Sequence, residues 1–101
     1  MDVLKKYPCK SPMTASKVIN GQAIVIFMED EGKNRESKIS VFNSVGSHIW
    51  TILNGKKTVG QIVDSITGEY DITYKKAEEK IIQFLLDLSE RKLIIISNIP
   101  E

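Results

Sequence analysis

Apolar and polar positions change period along the chain, and the changes mark the elements. Lys17-Val18-Ile19 and the stretch from Gln22 to Met28 are β-rich runs. They are joined by Asn20-Gly21, the dipeptide best suited to a two-residue type I′ turn, so a hairpin is predicted. Its second strand is apolar at Ala23, Ile24, Val25, Ile26 and Phe27, which predicts a central strand covered on both faces. The first strand is more polar and is expected at the periphery. Glu29 to Ser37 is charged and contains Gly32, and it reads as a long exposed connection. A third strand is predicted over Lys38, Ile39, Ser40, Val41 and Phe42. Its leading lysine and Ser40 give it the mixed character of a protected sheet edge, and an edge is where another chain can add.

Three helices follow. Asn43 or Ser44 can cap the first, whose apolar positions Val45, Ile49, Ile52 and Leu53 recur at helical spacing before Asn54-Gly55 stops it. Trp50 adds bulk beside that stripe. Thr58 and Gln61 have the spacing of a capping box, and Val59, Ile62, Val63 and Ile66 give the second helix one apolar face before Gly68. Thr73 caps the third, where Ala77, Ile81, Phe84, Leu85 and Leu88 form a stripe on an element of about 16 residues. Leu93-Ile94-Ile95-Ile96 is then a short strand or a buried extended tail.

Residues 1–14 hold Pro8, Pro12 and three lysines without a sustained period, so a flexible or loosely docked arm is expected there, followed by one domain over 15–97 and a tail over 98–101. Three strands, three helices and a last short strand, segregated along the chain, indicate an α+β fold laid out like a winged helix-turn-helix.

Composition narrows the function mainly by exclusion. At 101 residues and 42% hydrophobic content the chain supports one modest core. No apolar run is long enough to span a bilayer, so no membrane partner is expected. The single cysteine, Cys9, suits a reducing compartment, which points to the cytoplasm. Only Cys9 and His48 could serve as soft metal ligands or as the usual nucleophile and base, so no metal, cofactor or catalytic residue is assigned and the chain is not expected to be an enzyme. A net charge of +1 argues against nucleic acid. From Thr73 to Lys92 the positive Lys75, Lys76, Lys80, Arg91 and Lys92 face the negative Glu78, Glu79, Asp87 and Glu90, too even a balance for a groove-reading helix. A winged-helix DNA-binding regulator remains the alternative.

The order of several short motifs carries a family likeness. Ile39-Ser40-Val41-Phe42-Asn43 is followed by Val45-Gly46, Ile49-Trp50, Leu53-Asn54-Gly55, Thr58-Val59 with Ile62, Glu69-Tyr70, Phe84-Leu85 with Leu88, and Leu93-Ile94. In this order and spacing, residues 16–96 resemble the PqqD-like family, the peptide-recognition domains of pathways making ribosomally synthesised, post-translationally modified peptides, including pyrroloquinoline quinone and lasso peptides. The charged segment 29–37 is longer than in many relatives.

The resemblance implies noncatalytic binding of a precursor peptide's leader segment, which extends the sheet beside the third strand and rests against the third helix. A separate modifying enzyme would then act: a radical SAM enzyme, a leader peptidase or an ATP-dependent cyclodehydratase. On this basis Lys38, Ile39, Ser40, Val41 and Phe42 supply the edge, Ala77 permits close approach, and Ile81, Phe84 and Leu85 line the groove. Lys76 and Lys80 attract acidic leader residues. A free edge is also compatible with either a monomer or a strand-exchanged dimer.

Overall fold

The computed structural model describes residues 2–28 and 38–101; the connection expected at 29–37 lies outside the described residues. Strands β1 (Tyr7–Lys10), β2 (Thr14–Ile19), β3 (Gln22–Phe27) and β4 (Lys38–Val41) precede helices α1 (Ser44–Ile52), α2 (Val59–Glu69) and α3 (Tyr74–Glu90), and β5 (Ile94–Ser97) ends the series. The fold is α+β.

Local chemistry explains the boundaries. Asn20 and Gly21 both have positive φ, 52° and 77°, as a type I′ turn requires, and they join β2 to β3 with Ile19 opposite Gln22. Asn43 caps α1, its side chain accepting from the Gly46 N–H at 2.8 Å. Thr58 and Gln61 form the reciprocal box on α2, the Thr58 N–H donating to Gln61 Oε1 at 2.8 Å and the Gln61 N–H to Thr58 Oγ1 at 3.2 Å. Thr73 caps α3 through the Lys76 N–H.

Two antiparallel sheets result, β2-β3-β4 and β1-β5. The core lies where one face of the larger sheet meets the helices. Ala23 and Val25 of β3 pack there with Phe42, Ile49, Trp50, Ile62, Ile66, Ile81 and Leu88, all buried. The aliphatic run of β3 therefore does not mean that both faces are covered. Only its Ala23–Val25 face is sealed, while Ile24 and Ile26 on the other are half-buried.

The expectation of a loose N-terminal arm is also corrected. Tyr7 to Lys10 pairs with Ile94 to Ser97, and Pro8 is fully buried. The Val59 N–H donates to the Lys6 carbonyl at 2.9 Å and the Gly55 N–H to the Pro8 carbonyl at 3.1 Å. A four-residue strand whose partner lies at the opposite end of the chain has no local signal, and its proline disguises it further.

One side chain welds helix to sheet. Ser47, buried on α1, accepts the Ala23 N–H on its Oγ at 2.7 Å and donates to the Phe42 carbonyl at 3.2 Å. The Phe42 N–H reaches the Ala23 carbonyl at 3.0 Å, so the hydroxyl completes the last rung of the β3–β4 ladder. Ser47→Ala leaves two buried backbone groups unpaired and is expected to cost about 1–3 kcal/mol. Urea unfolding followed by Trp50 fluorescence measures it, and a loss below about 0.5 kcal/mol, the level of an ordinary surface change, contradicts the role assigned to the hydroxyl.

Candidate functional site

The ladder assigns each backbone group of β4 to a side. Antiparallel pairs alternate between hydrogen-bonded and non-bonded, and Phe42 with Ala23 is a bonded pair. Counting back along the register, Ser40 opposite Val25 and Lys38 opposite Phe27 also address β3. The N–H and C=O groups of Ile39 and Val41 therefore point to the other edge, with which no strand pairs among the described residues. Their side chains share the sheet face turned away from the helices, 62% and 59% exposed.

Beside this edge lies an apolar cleft of about 510 Å³. Val41, Phe42 and Asn43 form one wall, Val45, Gly46 and Ile49 of α1 the floor, and Ala77, Lys80, Ile81 and Phe84 of α3 the opposite wall, with Ile66 and Ile72 completing it. Phe84 meets Phe42 edge to face, ring centroids 5.4 Å apart at 80°. Gly46 makes this approach possible, because a Cβ there would stand 3.2 Å from Phe42 Cβ and 3.4 Å from Phe84 Cζ. At the far end of α3 the Arg91 guanidinium donates to the Ser40 hydroxyl and holds Asp87 at 3.3 Å, so the helix runs past the middle of β4.

The sequence-derived candidates divide accordingly. Val41, Phe42, Ala77, Lys80, Ile81 and Phe84 line the cleft together. Ile39 belongs to the free edge but not to the cleft, and Ser40 turns toward α3. Lys38 is the first residue of β4. Leu85 is a core residue, 1% exposed and absent from the lining. Lys76 sits in a neighbouring depression with Asp71, Ile72, Thr73, Glu79 and Lys80, where carboxylates offset its charge. Asn43, Val45, Gly46, Ile49, Ile66 and Ile72 were not anticipated as lining. Helical spacing does place Val45 and Ile49 on one stripe, but not on the part of it that stands open.

The two groups most suited to catalysis lie elsewhere. His48 packs half-buried against Tyr70, ring centroids 5.9 Å apart. Cys9 on β1 donates to Glu101 Oε2 at 3.1 Å. Burial, the bond to Glu101 and that carboxylate's charge push the thiol's pKa up, with Lys10 pulling it down. An activated nucleophile requires the opposite shift. Among the described residues no helix is long and apolar enough to cross a membrane.

A family profile described as Coenzyme PQQ synthesis protein D (PqqD) matches residues 24–94. The chain belongs to the PqqD family. That span runs from β3 to the start of β5 and so contains β4, all three helices and the cleft between them. A solved structure, TbiB1 in complex with the TbiA(beta) leader peptide, is similar in fold, with a TM-score of 0.74 and 24% identity over 85% of this chain and 93% of that one. No curated protein matches the chain.

The edge assignment within this PqqD-family chain has a direct readout. In the free protein the amides of Ile39 and Val41 are expected to exchange with solvent at least about tenfold faster than those of Ser40 and Phe42, which bond β3. Amide hydrogen exchange by NMR measures the four. Equal protection across them contradicts the pairing.

Proposed function

We propose that the chain binds an extended peptide as an additional strand on β4, and that this peptide is the leader segment of a ribosomally made precursor. The observation that carries the proposal is the coincidence of two unfilled needs in one place. The backbone groups of Ile39 and Val41, unpaired among the described residues, stand beside an apolar cleft walled by Ala77, Ile81 and Phe84. A strand seated there pairs with the first and inserts alternate side chains into the second.

Membership of the PqqD family supports the choice of a precursor peptide, as does a fold shared with a protein solved in complex with a leader peptide. The protein acts as a noncatalytic adaptor in the cytoplasm. It presents the precursor to a separate modifying enzyme: a radical SAM enzyme, a leader peptidase or a cyclodehydratase. Lys80 at the cleft rim favours an acidic leader residue at that end, whereas Asp71 and Glu79 offset the charge of Lys76 beyond it. Arg91 occupies the other end.

Val41→Pro tests the strand. It deletes an edge donor while leaving the β3 ladder intact, and proline is tolerated on an edge. The variant is expected to keep the circular dichroism of the parent and to weaken binding of a precursor's leader segment at least about tenfold. Unchanged affinity in the folded variant contradicts strand addition. A DNA duplex serves as the control: binding that falls steeply with salt, with no response to peptide, would establish the regulator instead.

A further inference from the structure

The sheet face turned away from the helices carries an aliphatic block that stops at the free edge. Val41 stands opposite Ile24 and Ile39 opposite Ile26, with Ile19 on the same face at the end of β2. Ile24 and Ile26 in the middle strand are half-buried by their neighbours, whereas Ile39 and Val41 are largely exposed. Exposure rises toward the edge because each interior residue is flanked on both sides and each edge residue on one. Among the described residues no next strand continues the block.

Sheet geometry specifies what that strand would place there. A residue joined to Ile39 or Val41 by backbone hydrogen bonds carries its side chain on their face, with Cβ atoms about 4.5–5.5 Å apart. The residue between those two points the opposite way, toward Ser40 and the cleft. That is the antiparallel case; in a parallel strand the hydrogen bonds of Ile39 and Val41 go to the residues on either side of the one lying opposite, but it is still the opposite residue that shares their face.

We propose that the bound peptide is read on both faces: inward residues fill the cleft, and outward residues opposite Ile39 and Val41 are aliphatic or β-branched and complete the block. The inference rests on the strand-addition function proposed above and adds the second set of contacts to it. One strand is the occupant because the free amides, the cleft and the block share a single edge, so one extended segment covers all three. A segment with polar outward residues would satisfy the amides and the cleft yet leave Ile39 and Val41 in water. The recognised peptide is accordingly a short continuous apolar run rather than an alternating one.

The test is selection from a library of short random peptides displayed on phage, against the whole chain and against its Ile39→Lys, Val41→Lys and Val41→Pro variants. Selected peptides are expected to be apolar at consecutive positions. The two Lys variants should shift the outward position beside the new lysine to Asp or Glu while the inward preference stays as it was, because opposite charges pair across strands. On the unaltered protein, changing one outward aliphatic residue of a selected peptide to Ser should weaken binding about two- to fivefold. This second measurement holds even where a Lys variant fails to fold. Outward positions without preference, with inward selection retained and lost in Val41→Pro, overturn the two-faced inference and leave strand addition standing. Peptides selected equally by Val41→Pro overturn strand addition and the inference with it. A dimer in light scattering that Ile39→Lys dissociates and selected peptides do not would assign the block to a second copy and overturn the inference.

Discussion

The Ser47 hydroxyl decides how α1 sits on the sheet, and the cleft inherits its dimensions from that contact. The hydroxyl stands where the β3–β4 ladder ends, taking the Ala23 N–H and giving its own proton to the Phe42 carbonyl. A buried backbone group without a partner is costly, so the helix is held at the one distance where both bonds are made. Gly46, one residue earlier, then lies under the Phe84 ring, and Asn43 caps the same turn. Replacing any of the three moves the floor of the cleft relative to its walls.

The free edge of β4 departs from the usual means of protecting one. Edges are commonly guarded by inward charges, prolines or bulges. Ser40, which in the sequence suggests such protection, points instead toward α3, where Arg91 holds it. The residues whose amides face the edge are Ile39 and Val41, aliphatic and exposed. Water can satisfy the unpaired N–H and C=O groups of an exposed strand, so the edge itself costs little. The expensive surface is the hydrocarbon around it: the cleft on one face, the Ile24–Ile26–Ile39–Val41 block on the other. An added strand replaces water at all of these together.

How much of this was legible in the sequence depended on the range of the interactions. The hairpin, the three caps and the helical stripes are local, and Asn20-Gly21, Asn43, Thr58 with Gln61, and Thr73 announced them through chemistry acting within a few residues. Strand β1 was missed because its partner β5 lies at the opposite end of the chain and Pro8 masks its pattern. The covering of β3 was overestimated because an aliphatic run shows that residues avoid water, not that both faces have something to pack against. That β4 is an edge was legible from its leading lysine and Ser40, and the family likeness added the leader peptide, whereas the division of its residues was not legible. Alternation alone cannot say whether Ser40 or Val41 turns its amide to the edge; the register with β3 and the Phe42–Ala23 bond decide it. Likewise Leu85 and Ile81 belong to one helical stripe and both are buried, and only the position of Phe42 and Gly46 opposite α3 sets Ile81 beside the cleft.

A site built largely from main chain constrains how it can discriminate. Backbone hydrogen bonds form with any extended sequence, so they supply affinity without choosing a ligand. The formal net charge of +1, with Asp71 and Glu79 set among Lys76 and Lys80 and Asp87 paired with Arg91, leaves little long-range field to select one peptide from another. Beyond the acidic preference at Lys80, selectivity then comes from apolar contacts, and a single methylene in an apolar pocket separates ligands by only about 10- to 200-fold. A cleft facing one set of alternate side chains offers few such positions over the length of β4. On the proposed two-faced reading, Ile39 and Val41 add contacts to the other set with no additional element.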